Sequence, residues 1–192
     1  MNPRSLISCE LNEWRNRPGR VTVSVNPEES GRLGLSWEIE VLAIAEAKRT
    51  QVQFVEGEAH AVRAPARELW RENCCEFFCG PTGQLAYIEW NIAFSGEWNC
   101  YAFVSERSRA SIDPPGGVIE VRRQIQGGRV RLQATLEIPN EWRALDLEAQ
   151  PAVVLSGDDI SYWSSRHEGD RPDFHDRRRW SWRRLASDWS QV

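Results

Sequence analysis

Apolar and polar residues alternate with period two along most of the chain, only two short stretches carry helical spacing, and Gly, Pro and Asn punctuate the intervals. These three observations predict an all-β fold, an antiparallel β-sandwich of about ten or eleven strands with one or two short helical turns. Leu6 to Leu11 and Val21 to Val25 read as the first strands. In Leu33 to Ala43, residues Leu33, Leu35, Trp37, Ile39 and Val41 point one way, while Ser36, Glu38 and Glu40 point the other, as a half-buried strand requires. Ala66 to Trp70 and Asn140 to Arg143 each read as one helical turn, and Ile112 to Gly117, with Asp113-Pro114-Pro115-Gly116, reads as a breaker loop. Val118 to Ile125 turns at Gly127-Gly128 into a strand in which Val130, Leu132, Ala134, Leu136 and Ile138 alternate with polar neighbours. Val153 to Leu155, Ile160 to Trp163 and Trp180 to Leu185 complete the series.

The chain has 192 residues, which suits one domain over 1–192. Ten Trp, six Phe and three Tyr supply enough large apolar surface to offset the entropy of ordering, so wholesale disorder is excluded. No run approaches the roughly 20 apolar residues of a membrane helix, and Met1 to Glu13 lacks the basic segment and apolar run of a secretory signal. A cytoplasmic protein with no membrane partner is expected. Five cysteines, Cys9, Cys74, Cys75, Cys79 and Cys100, are an odd number, which fits reduced thiols better than a disulfide framework.

A net charge of -4 argues against general polyanion binding, and Lys48 is the only lysine. Arg177 to Arg184, RRRWSWRR, is a local exception whose alternation places Trp180 and Trp182 on one face of a last strand and Ser181 and Arg183 on the other. No nucleic-acid partner is expected. Cys74, Cys75 and Cys79 with His167 and His175 carry zinc-type donors, but neighbouring thiols on a strand face opposite ways and no second ordered pair follows, so no metal is expected. Cys75 and Cys79 read as small core residues.

The densest segment is Leu69 to Val104. In Leu85 to Phe94, Ala86, Ile88, Trp90, Ile92 and Phe94 are apolar and face the core, which sends Tyr87, Glu89 and Asn91 to the opposite side. In the preceding strand Cys75, Phe77 and Cys79 alternate with Cys74, Glu76 and Phe78, and Pro81-Thr82-Gly83-Gln84 reads as a four-residue hairpin loop. With Gly80 paired to Leu85, Glu76 stands opposite Glu89, Cys74 opposite Asn91 and Phe78 opposite Tyr87. Either the register slips, or like charges so placed require a shared proton, a neutralising partner such as Arg67 or Arg71, exposure to water, or a ligand that takes their hydrogen bonds. Facing carboxyls also suit a retaining glycosidase in distance, although no Gly-x-Ser-x-Gly, phosphate-binding Gly loop or His-Glu-x-x-His is present.

Trp70 and Glu72, Cys75-Glu76-Phe77-Phe78, Tyr87-Ile88-Glu89-Trp90-Asn91, Ser95-Gly96-Glu97-Trp98, Tyr162-Trp163 and Pro172-Asp173-Phe174-His175 follow in order. This series resembles the bacterial DOMON-like proteins, which are similar to family-9 carbohydrate-binding modules and to DOMON domains that bind sugar or haem. The resemblance runs from about Trp70 to the C-terminus and implies a sandwich of Ig-like or jelly-roll-like character. It further implies a pyranose stacked between two Trp side chains, with its hydroxyls on acidic and amide residues of adjacent strands. Trp70 and Glu76 match that pattern. Glu89 stands where the sugar binders carry Gln in a Tyr-x-Gln motif, and two acids suit a polyol, a cation or a basic ligand as well. Trp163 is the candidate second stacking wall, and His175 either lines the pocket mouth or caps a turn. The haem branch needs axial Met and His or two His; the only Met is Met1, the histidines are His60, His167 and His175, and no Cys-x-x-Cys-His motif occurs, so no cofactor is expected.

The expectation is therefore a non-catalytic binding module for a small polar ligand, a carbohydrate above all, held by Trp70, Glu76, Tyr87, Glu89, Asn91, Trp163 and His175. The alternatives are a glycoside-hydrolase-like enzyme using the paired glutamates and an intracellular interaction domain with a vestigial pocket.

Overall fold

The computed structural model describes residues 7–15, 19–28, 32–40, 61–64, 68–112, 114, 117–126, 129–156 and 160–184. The strands are β1 (Ile7–Glu13), β2 (Val21–Glu28), β3 (Arg32–Glu40), β4 (Val62–Arg63), β5 (Cys74–Pro81), β6 (Tyr87–Ala93) and β7 (Glu97–Ser105). They continue with β8 (Ser108–Arg109), β9 (Val118–Gln126), β10 (Arg129–Glu137), β11 (Leu147–Leu155), β12 (Ser161–Ser164) and β13 (Trp182–Arg184). Among the described residues the helical content is three 3-10 turns, Leu69–Arg71, Asn140–Trp142 and Arg177–Arg179. The first two overlap expected turns; Ala66 lies outside the described residues, as do Leu6, Val41 to Ala43, His60, Arg67, Gly127-Gly128, Leu185 and most of the Asp113–Gly116 loop.

The all-β expectation holds, but two separate sheets do not form. The strands follow one hydrogen-bonded path, β4-β7-β6-β5-β11-β12-β1-β2-β3-β10-β9, with β8 beside β7 and β13 beside β11. The joint is β1. Its Ile7–Leu11 stretch pairs with β2, and its last residues, Asn12 and Glu13, pair with Ser164 and Trp163 of β12. One strand thus serves both halves, and the sheet curls around a shared core. Among the described residues every pairing is antiparallel except that of β4 with β7. Val23, Trp37, Ile39 and Leu132 enter the core from one half, and Phe77, Trp90, Ile92 and Val153 from the other. The alternation at Leu33, Leu35, Trp37 and Ile39 and at Val130 to Ile138 is buried as expected, and Cys75 and Cys79 pack in the core.

The β5–β6 register differs from the expected one by two residues. Glu76 is opposite Asn91, Phe78 opposite Glu89 and Cys74 opposite Ala93. Gly80 explains the choice, because a Cβ there would lie 2.6 Å from the Ala86 carbonyl oxygen and 2.9 Å from the Tyr87 Cβ. Only a residue without a side chain tolerates that approach. Leu85, expected to pair, is instead 71% exposed in the loop. Arg177 gathers the loop: its guanidinium donates to the carbonyls of Pro81 (2.8 Å), Ala86 (3.1 Å) and Gln84, and to Glu148 Oε1 (2.8 Å). A slip of two keeps every side chain on its own face, so Glu76, Phe78, Tyr87, Glu89 and Asn91 remain together.

Trp180 and Trp182 do not share a face. The Arg177–Arg179 turn precedes them; Trp182 enters the main core, and Trp180 packs on the opposite side of the sheet with Phe78, Tyr87 and Phe174. Arg183 pairs with Glu148 across the β11–β13 ladder.

The Arg177 clamp yields a stability prediction. Arg177→Ala leaves Glu148 with only Arg183 and frees three carbonyls, so it is expected to destabilise the fold by about 2–4 kcal/mol. Hydrogen exchange should show faster opening at residues 82–86, and an unchanged melting temperature with unchanged exchange there would remove the clamp's role.

Candidate functional site

β5 and β6 lie mid-sheet and are buried along their whole length, with one face on the main core. Their other face continues sideways in register. One row runs Ala152, Glu76, Asn91, Asn99, and the next runs Gln150, Phe78, Glu89, Tyr101. Over these rows lies a cavity of about 730 Å³. Glu76, Phe78 and Glu89 form its floor; Trp70, Tyr101 and Phe103 stand on the β7 side, and Val154, Ile160, Tyr162 and Phe174 on the β11–β12 side. Arg71, Arg107, Arg109 and His175 complete the lining.

The floor carries two carboxyls in different settings. Glu89 Oε1 accepts the Asn91 side-chain amide at 2.6 Å, and its Oε2 faces His175 Nε2 at 3.7 Å. Glu76 is 3% exposed and has no hydrogen bond to the described residues. Burial pushes the Glu76 carboxyl well above the usual range, and the neighbouring Glu89 pushes it further. Burial also lifts Glu89, to about 7, against the opposing Asn91 bond and the charges of Arg107 and Arg109. Burial thus favours the protonated form of both carboxyls, and Glu89 titrates near neutrality.

His175 is clamped edge-on by Phe78 and Phe103, both with centroids at 5.1 Å, and its Nδ1 lies 2.7 Å from the Tyr87 hydroxyl. Burial, helped by Arg107, depresses its pKa to about 4, so the ring is neutral. The Tyr87 hydroxyl accepts the Arg107 backbone N–H at 3.1 Å and has no acceptor but Nδ1 among the described residues. Its proton therefore goes to Nδ1, and the ring carries its own on Nε2, toward Glu89. The β7–β8 hairpin brings Arg107 and Arg109 here, with Arg109 opposite Phe103. Arg107 sits at φ 56° and pairs with Asp173 at 2.9 Å; Asp173 also accepts the His175 backbone N–H.

Of the expected residues, Trp70, Glu76, Glu89 and His175 line the cavity. Tyr87 and Asn91 are fully buried behind it and act through His175 and Glu89. Trp163 is not brought there: it is 2% exposed in the main core, its indole N–H on Ser161 Oγ at 3.1 Å. The β11 register explains this, since Trp163 pairs with core-facing Val153 and Tyr162 with cavity-facing Val154. Tyr162 is thus the ring on that side. Arg71 is paired with Glu68, not with the glutamates. His167 bonds the Asn12 carbonyl and lies off the cavity. Sequence reasoning missed Tyr101 and Phe103, whose alternation was readable beside Tyr87 and Glu89, and Arg107 and Arg109, on a hairpin too short to carry a periodic signal. No group of three or more metal-ligating side chains occurs among the described residues, and no described helix is long and apolar enough to cross a membrane.

No family model and no curated protein matches the chain. Among solved structures, it is similar to a candidate carbohydrate-binding protein from Bacteroides uniformis, with a TM-score of 0.56 and 14% identity over 91% of this chain and 84% of that one. More distant are two structures of a family-9 carbohydrate-binding module from Caldicellulosiruptor kristjanssonii, in complex with cellotriose and with glucose. Their TM-scores are 0.46 and 0.45, each at 8% identity over 80% of this chain and 71% and 72% of the others. The likeness to the Bacteroides uniformis protein is one of fold.

Proposed function

We propose that the chain is a non-catalytic binding module for a small polar ligand, a sugar or sugar-like molecule, held in the cavity over Glu76 and Glu89. One observation carries this reading: Glu76 is buried, faces the cavity and lacks a hydrogen-bond partner among the described residues. A buried carboxyl without a partner is costly, and a ligand hydroxyl satisfies it. The cavity volume falls in the range of small-molecule sites, and its pairing of aromatic sides with a polar floor matches a pyranose, which has apolar C–H faces and a rim of hydroxyls. Trp70, edge-on to Tyr101 at 5.7 Å, offers the stacking surface on one side, and Tyr162 offers a ring on the other. The carbohydrate-binding description of the Bacteroides uniformis fold neighbour supports the same ligand class.

Titration calorimetry with a panel of mono- and disaccharides tests the site. Trp70→Ala and Glu76→Ala are each expected to weaken the best ligand roughly 10- to 100-fold while leaving the circular dichroism spectrum unchanged. Equal affinity in both variants and the parent rejects the site, and turnover of chromogenic glycosides lost in Glu76→Gln replaces the binding module with the hydrolase.

The two carboxyls should also make the fold less stable in alkali. Glu89 keeps its proton in the folded state up to about 7 but would ionise near 4.5 when unfolded. Between those values the native state holds the extra proton, so the Glu89 contribution to stability falls as pH rises and levels off above 7; the upward shift of Glu76 lowers stability with rising pH in the same direction. The Glu76→Gln/Glu89→Gln double variant is expected to melt roughly 5 °C higher than the parent at pH 8, with the gap closing toward pH 4.5. A gap that widens on acidification contradicts the assigned shifts.

A further inference from the structure

The arginines of the cavity have unequal partners. Arg71 is paired with Glu68, and Arg107 with Asp173. Arg109 makes no ion pair among the described residues; its guanidinium lies over the Tyr101 ring, 4.1 Å from the centroid. Cation and ring present a flat ledge on the cavity, edge-on to Trp70. Arg107 lines the same cavity, and its backbone holds a left-handed conformation, uncommon for a residue other than glycine, with its amide tied to Tyr87. Opposite this cationic wall the floor offers Glu76, which lacks a hydrogen-bond partner and is more than nine-tenths buried, so the cavity asks for two chemistries at once.

We propose that the ligand is an acidic sugar, whose carboxylate or phosphate is seated against Arg109 and Arg107 while its hydroxyls meet Glu76 and Glu89. This rests on the reading of the cavity as a sugar site and adds the charge of the ligand to it. The anion completes the arginine wall by charge-assisted hydrogen bonds, while the Glu76 carboxyl, which burial pushes toward its protonated form, meets hydroxyls as donor or acceptor. Glu89 feels the charge of both arginines, of which Arg107 also holds Asp173. The groups facing it are Glu76 and Cys74 from β5, Tyr87 and Asn91 from its own strand, Tyr101 from β7, Arg107 and Arg109 from the hairpin, and His175 from the closing segment. With His175 neutral, an anion on the arginines leaves Glu89 as the group that gains a proton. Binding of a charged sugar is therefore accompanied by proton uptake near neutral pH.

The experiment is calorimetry of the full chain with glucuronate, glucose 6-phosphate, glucose and glucosamine, repeated in two buffers of different ionisation enthalpy. At least one anionic sugar is expected to bind about tenfold tighter than glucose, with glucosamine weakest and with proton uptake at pH 7. Arg109→Gln should erase the tenfold difference between charged and neutral sugar. A preference for glucuronate identifies a carboxylate ligand and one for glucose 6-phosphate a phosphate ligand, and either supports the inference. Glucose or glucosamine binding as tightly as the anions overturns it and leaves the sugar site standing. Failure of all four, and of the wider saccharide panel, overturns the sugar site itself.

Discussion

β5 and β6 occupy the middle of the sheet with every residue of both almost wholly buried, and the rest of the molecule is arranged around that condition. A strand buried on both faces is usually apolar on both, because a polar group removed from water must find a partner or lose free energy. Here one face obeys the rule with Phe77, Trp90 and Ile92, and the other breaks it with Glu76, Glu89 and Asn91. Asn91 and Glu89 satisfy each other, and Cys74 donates to Asn91 Oδ1 at 3.7 Å. Glu76 is left over, which is why the cavity above it is read as a site rather than a packing defect.

The segment after β12 turns this polar face into a recess. Phe174 and Trp180 pack on Phe78 and Tyr87 and cover one end of it, with the Trp180 indole N–H on the Phe174 carbonyl at 2.9 Å. Asp173 ties the segment to Arg107 of the β7–β8 hairpin, and Arg177 ties it to the β5–β6 loop. Two hairpins and a return segment, distant in sequence, thus meet over four adjacent strands. Both ties are ionic or charge-assisted; the Arg177 bonds to Pro81 and Ala86 are partly buried, which strengthens them, whereas Arg107–Asp173 is exposed.

Faces were legible in the sequence, and partners were not. The alternation of Ile88, Trp90 and Ile92 against Tyr87, Glu89 and Asn91 fixes which side each residue takes, because the side-chain period of a strand is two whatever its neighbour does. The same pattern is silent about sliding by an even number of residues, so Glu76 was expected opposite Glu89 and stands opposite Asn91. What selects the register is the close approach at Gly80 and the grip of Arg177, 91 positions from Ala86, and neither shows in a local pattern. Tyr162 and Trp163 illustrate the same limit. Both are aromatic and adjacent, and their phase is set by pairing with Val154 and Val153 across a ladder. Trp180 and Trp182 look like strand alternation until the Arg177–Arg179 turn changes the chain's course ahead of them. A resemblance in motif order located Trp70 and Glu76 on the cavity, yet it offered nothing about Arg107 and Arg109.

Two hydrogen bonds and one longer polar contact link the wall to the floor. The Arg107 amide donates to the Tyr87 hydroxyl, that hydroxyl donates to His175 Nδ1, and His175 Nε2–H faces Glu89. Tyr87 is held in the middle by a face-to-face stack on Phe103 at 4.7 Å and an edge contact with Trp180, so it has little freedom to let go. Since burial lifts the Tyr87 pKa to about 12 and lowers that of His175 to about 4, neither of these two ionises in the neutral range. The single titrating end is Glu89. Arg107 on the cavity lining and Glu89 on its floor are thus joined through Tyr87 and His175 with no group between them that titrates in the neutral range.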